Sequence, residues 1–138
     1  MRTATSRDAS SVVVPHDARS ASVARHHLCR DMDAHSVDGA LAGDAELLLS
    51  ELVGNAVRHA RPLPGGVVRV AWEVASGEVV LRVTDGGSTN GHRPRETVVG
   101  PDAISGRGLT IVAALAARWG VEPASGGQSV WAVLAVSA

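Results

Sequence analysis

The sequence predicts an α/β (α+β) two-layer sandwich, a mixed, mostly antiparallel sheet with helices packed on one face. Three observations carry that prediction. Between Glu46 and Ala60 the apolar residues Leu48, Leu49, Leu52, Val53, Ala56, Val57 and Ala60 recur at three- and four-residue steps, the period of a helix with one buried side. From Val67 to Val74 the period changes to two, with Val68, Val70, Trp72 and Val74 on one phase and Arg69 and Glu73 on the other. The segments run in the order strand, two helices, two strands, long connection, helix, and one or two closing strands. At 138 residues the chain suits a single domain with one core.

Residues 1–10 are small and polar and are expected to be disordered, leaving 11–138 as the domain. Val12-Val13-Val14, closed by Pro15, reads as a short edge strand. From Asp17 a helix follows, with Ala21, Ala24, Leu28 and Met32 on one side; Cys29 lies in it and reads as a buried, inert thiol. Ser36 to Gly43 reads as a loop or short turn, and Asp44 as the N-cap of the central helix. Pro62, Pro64, Gly65 and Gly66 end that helix. Ser76-Gly77 reads as a hairpin turn into a strand from Glu78 to Thr84, which runs into Asp85-Gly86-Gly87. Residues 88–105 have no periodicity, and a connection this long in a compact domain reads as a lid or binding loop. Gly106-Arg107-Gly108 opens a helix expected to end near Gly120, and Gly126-Gly127 turns the chain into a last strand, Ser129 to Val136.

Composition excludes several classes of function. The formal net charge of −1 gives no electrostatic case for nucleic acid or an anionic membrane. All thirteen basic residues are Arg, so chemistries that need a lysine, such as a P-loop or a Schiff base, are ruled out. The three aromatic residues are Trp72, Trp119 and Trp131, too few for a stacking platform, and they leave a core of Val, Leu and Ala. A single cysteine allows neither an internal disulfide nor a thiolate metal cluster. No apolar run approaches the ~20 residues of a membrane span, and the start has no signal-peptide centre; a cytoplasmic protein is expected.

Three short segments carry chemistry. On the central helix Glu51 and Asn55, four apart, project from one face, with Arg58 beyond them and Gly54 between. Glycine there costs about 1 kcal/mol relative to Ala, which makes sense if something approaches the backbone closely. Such a pair also occurs as ordinary decoration of a solvated face. Asp85 falls on the apolar phase of Val79, Leu81 and Val83, where a carboxylate needs a donor, and the exocyclic amine of adenine would serve. Gly87 would let the base lie flat, although Asp-Gly also forms turns on its own. Gly106 and Gly108, opening a helix, offer bare N–H groups to phosphate oxygens, with Arg107, Arg93 and Arg95 as charge partners.

Taken together, Glu51-Leu-Val-Gly-Asn55-Ala-Val-Arg-His-Ala, Asp85-Gly-Gly87 and Gly106-Arg-Gly108-Leu109 resemble the N, G1 and G2 boxes of the GHKL (histidine kinase-like) ATPases, whose ATP-binding fold is the Bergerat fold. With Arg58-His59-Ala60 and Arg118-Trp119-Gly120-Val121, the compact chain is similar to the SpoIIAB/RsbW anti-sigma factor serine kinases, particularly the small actinobacterial ones. The resemblance implies ATP and Mg2+ as cofactors. It implies Asn55 as the Mg2+ ligand, Glu51 as general base, Asp85 as reader of adenine N6, and Gly87, Gly106, Arg107, Gly108 and Leu109 as nucleotide contacts. Arg58, Arg93 and Arg95 are candidates for phosphate or lid contacts. The implied acceptor is a Ser or Thr of a STAS-domain antagonist, and the implied second partner a sigma factor; with the apolar edge Val12 to Val14, a homodimer is expected. The G1 box departs from Asp-x-Gly-x-Gly at Thr89. That departure keeps open a nucleotide-binding module that sequesters a partner without kinase activity. A stand-alone histidine-kinase catalytic domain is the other alternative.

Overall fold

The computed structural model describes residues 8–75, 77–87 and 110–136. The chain forms β1 (Asp8–Pro15), α1 (Ser20–Ala34), α2 (Gly39–His59), β2 (Val67–Ala75), β3 (Glu78–Asp85), α3 (Thr110–Leu115), β4 (Arg118–Ala124) and β5 (Gly127–Ala135). The sheet order is β1-β2-β3-β5-β4, and all four pairings are antiparallel. The described strands thus include no parallel pair, so the mixed sheet anticipated from the sequence is antiparallel throughout this region. The helices contribute the second layer, α1 packing on β1, β2 and α2, and α2 on β2, β3 and β5.

The core follows from the two periodicities. Every second residue of β2, from Val68 to Val74, is buried, as are Val79, Leu81 and Val83 of β3 and Val130, Ala132 and Leu134 of β5. Onto this face α2 presents Leu41, Ala45, Leu48, Leu49, Leu52, Val53 and Ala56. Asp31 of α1 ties the layers together with a polar contact: its Oδ2 accepts from Trp72 Nε1 at 2.7 Å and from Ser10 Oγ at 2.8 Å. Ser10 and Trp72 are register partners on β1 and β2. The indole donor, opposed by partial burial and helped by Ser10 and nearby His35, holds the Asp31 carboxyl below the usual carboxylate range.

Several boundaries differ from the sequence expectations. β1 begins at Asp8, inside the segment expected to be disordered, because Asp8, Ala9 and Ser10 pair with Val74, Glu73 and Trp72. Helix α2 begins at Gly39 rather than after Asp44: the Asp38 carboxylate accepts from Ala40 N at 3.1 Å and Leu41 N at 3.3 Å and is the N-cap. Asp44 lies inside the helix. α3 stops at Leu115, well short of Gly120, because Trp119 and Val121 are drawn into the core as strand residues and Gly120 pairs with Trp131 of β5. Cys29 is exposed, since the buried side of α1 runs through Ser20, Ala24, Leu28 and Met32 and the next residue turns away. The Glu46 carboxylate beside it pushes the thiol up, away from nucleophilic character. Ala75 pairs with Glu78, which leaves the two-residue connection expected at Ser76-Gly77. The proposed lid, 88–105, lies wholly outside the described residues. No helix of the described residues is long and apolar enough to cross a membrane.

Candidate nucleotide site at the end of helix α2

The chemistry-bearing half of α2 leads into a loop that is stitched to the end of β3. Arg61 N donates to Gly87 O at 2.8 Å, and Gly86 N donates to Arg61 O at 2.7 Å. Gly86 is required by this approach: a Cβ there would stand 2.2 Å from Pro62 O. The contact fixes the Asp85-Gly86-Gly87 turn against the residues that follow Asn55 and Arg58. Gly87 adopts φ +100°, a left-handed conformation suited to glycine. On the far side of the helix end, the His16 ring lies with Nε2 2.9 Å from Ala60 O and 3.2 Å from Ala56 O. Carbonyls only accept, so this nitrogen carries the proton and closes the last turn of α2 onto the end of β1. A histidine just past a strand, such as His16, carries no signal in the sequence of a partner forty residues away.

Asn55 differs most from its expected setting. It is 2% exposed, not an open polar face. Its Oδ1 accepts from Arg58 Nη2 at 3.0 Å, while its Nδ2 is buried with no hydrogen-bond partner. Glu51, one turn earlier, is partly buried, and its Oε2 lies 4.0 Å from the same Arg58 nitrogen. The guanidinium therefore folds back along the helix and sits between carboxylate and carboxamide. Gly54 makes room for it, since a Cβ there would lie 2.9 Å from Arg58 Nη1. What approaches the helix at Gly54 in the free protein is thus this chain's own arginine. The Asn55–Arg58 spacing of three residues was the available signal for that contact.

Asp85 is 1% exposed, on the helix-facing side with Val83 and Leu81, and its Oδ1 accepts from Gly87 N at 2.8 Å. Directly opposite on β5 stands Gln128, 3% exposed, whose Nε2 has no partner. The next pair, Thr84 and Ser129, is buried and joined through its hydroxyls at 2.6 Å. Glu51, Asn55, Arg58, Asp85 and Gly87 are thus carried by two segments that meet through backbone hydrogen bonds. Gly106, Arg107, Gly108 and Leu109, with Arg93 and Arg95, lie outside the described residues; α3, which follows Leu109, packs on α2. A cavity of about 380 Å³ lined by Ser11, Ala71, Glu73, Val80 and Arg82 is not part of this constellation.

A divalent cation fits the residues present. Mg2+ keeps several waters and takes only one or two protein oxygens, so a lone amide oxygen beside a carboxylate suffices. The Asn55 oxygen already binds a cationic group, the Arg58 guanidinium, which can only donate and so faces the oxygen end of the carboxamide. The described residues hold no group of three His, Cys, Asp or Glu that would suit a more fully liganded metal.

Comparison with known proteins gives two results. The family model described as "Histidine kinase-like ATPase domain" matches residues 14–134. Among solved structures, the crystal structure of the RsbU and RsbW domains of Rv1364c from Mycobacterium tuberculosis superposes with a TM-score of 0.70 at 21% sequence identity, covering 95% of this chain and 34% of that one. The chain thus spans about a third of the length of that neighbour, and the likeness is one of fold. No curated protein matches the sequence.

Proposed function

Because the chain belongs to the histidine kinase-like ATPase domain family, we propose that it is an ATP-dependent protein serine/threonine kinase acting on a regulatory partner. The observation that carries this reading is the Glu51–Asn55–Arg58 cluster, with its buried, half-satisfied carboxamide, fastened by backbone hydrogen bonds to the buried Asp85 turn. Membership in the family implies ATP binding. Asp85 is the acceptor for the adenine amine, and Gly87 allows the base to lie against the turn. Asn55 Oδ1 would hold Mg2+, which supplies charge neutralisation for the triphosphate.

With Mg2+ held at Asn55 Oδ1, the Arg58 guanidinium that now donates to that oxygen would be free to turn away. It is more than half exposed and can turn toward a phosphate at small cost. Glu51 then stands as the general base. It accepts the proton of the attacking hydroxyl as that oxygen bonds to the γ-phosphorus and the bond to the β–γ bridging oxygen breaks, leaving ADP. The resemblance of the segments around Arg58 and Arg118 to SpoIIAB/RsbW kinases supports a Ser or Thr of a STAS-domain antagonist as acceptor. It likewise supports a sigma factor as the second partner.

The test is calorimetry of ATP with and without Mg2+. Asn55→Ala is expected to lose most of the metal-dependent gain in affinity, and equal titrations for the two proteins would refute the assignment. Glu51→Ala is expected to keep ATP binding and lose phosphoryl transfer. Mass spectrometry of co-purified partners after incubation with ATP reads out the acceptor residue; serine phosphorylation at the wild-type rate in Glu51→Ala would remove Glu51 from its role.

A further inference from the structure

An amide donor that is buried and unpaired is an exception in a folded protein and needs a reason. Gln128 is such an exception, at 3% exposure with Nε2 unpartnered. Its place in the fold supplies the reason. Gln128 and Asp85 are register partners on antiparallel β5 and β3, so their side chains leave the same face of the sheet side by side, with Cβ atoms about 5 Å apart. Asp85 lies on the helix-facing phase with Leu81 and Val83, and Gln128 on that of Val130 and Ala132. The Asp85 carboxyl, whose Oδ1 accepts from Gly87 N, therefore neighbours one carboxamide whose NH2 has no partner. Adenine presents the complementary pair on adjacent atoms of one edge: the N6 amine donates and N1 accepts.

We propose that Gln128 is a second base-reading residue, donating from Nε2 to adenine N1 while Asp85 accepts from N6. This rests on the nucleotide reading of the site. The pair then selects adenine against guanine chiefly through Asp85, because guanine carries an acceptor at O6 that would face the carboxyl acceptor, whereas the Gln128 carboxamide can turn its oxygen to a donor at N1. In the free protein the unpaired donor is a cost carried for binding, and the Thr84–Ser129 hydroxyl pair behind it keeps the two strands in register.

The experiment is a cycle of one substitution and one ligand change, read by calorimetry with Mg2+ present. Gln128→Leu, close in volume and without the orphan donor, is expected to fold with a higher melting temperature than the wild type. It should also bind ATP about tenfold more weakly, the effect of one lost hydrogen bond that leaves a ligand acceptor unsatisfied. 1-Deaza-ATP, which has C–H in place of N1, is expected to bind wild type and Gln128→Leu alike. Equal weakening of ATP and 1-deaza-ATP by the substitution, or no weakening of either, overturns the assignment of Gln128 while leaving the nucleotide site intact. Failure of the wild type to bind ATP overturns both.

Discussion

A glycine in the middle of a 21-residue helix is a residue-scale puzzle with a residue-scale answer. Gly54 sacrifices helix stability, and the gap it leaves is filled by the Arg58 guanidinium, which reaches back to Asn55. The crowding is with the tip of a flexible side chain more than half exposed, so a methyl group there can push it aside. Gly54→Ala is accordingly expected to stabilise the free protein by about 0.5–1 kcal/mol through helix propensity. That corresponds to a rise in melting temperature of roughly 2–4 °C, readable by differential scanning calorimetry. A fall instead would mean that the Arg58–Asn55 contact contributes more than the backbone gains. The sequence showed the glycine, the asparagine and the arginine, and their spacing on one helix. It did not show that Asn55 is buried, because burial there depends on what packs over the helix end, which no local period encodes.

At the scale of elements, the strong periodicities were legible and the ends were not. Val68 to Val74 and Leu48 to Ala56 announce their buried faces because apolar residues repeat at the element's own period. The helix start was missed at Asp38, since Asp44 offered an equally good cap chemically and only the fold decides between them. The helix end near Gly120 was missed because Ala113, Ala116 and Ala117 suit a helix locally, while pairing with β5 claims the chain from Arg118 onward.

Long-range polar ties were also silent in the sequence, and Asp31 is the clearest. It joins α1 to the paired strands β1 and β2 through Ser10 and Trp72. Asp31→Ala is expected to cost about 1–3 kcal/mol at neutral pH, because the Trp72 N–H is left buried without an acceptor. The pH dependence has a definite sign. The folded carboxyl titrates below its ordinary value of 3.8, so its charge-dependent contribution is complete above that value and disappears as pH falls through the folded value. Urea denaturation of wild type and variant should therefore differ most above pH 5 and converge in acid. A gap that widens in acid would contradict the assignment.

At the scale of the whole molecule, the candidate site sits where the core ends rather than in an appendage. Helix α2 supplies the centre of the hydrophobic layer with Leu48, Leu49 and Leu52, and three residues after Leu52 it supplies Asn55. The Asp85 turn likewise continues directly from the buried strand residues Leu81 and Val83. A ligand held between these two segments bridges elements that must separate when the chain unfolds, so its binding energy should appear as global stability. At a ligand concentration a hundredfold above Kd, that linkage amounts to about 2.7 kcal/mol. Three variants divide core from site. Leu49→Ala, with its side chain fully buried, is expected to lower the melting temperature of the free protein through a loss of about 2–5 kcal/mol yet keep the upward shift on adding Mg2+ and ATP. Glu51→Ala should keep both the starting temperature and the shift, since base chemistry does not hold the ligand. Asn55→Ala should start close to the wild type, because the oxygen it removes is tied to a mostly exposed arginine and its buried NH2 is already unpaired, and it should lose the magnesium-dependent part of the shift. Thermal denaturation of the four proteins across a magnesium series measures all of this at once; an undiminished shift in Asn55→Ala would place the metal away from the end of α2.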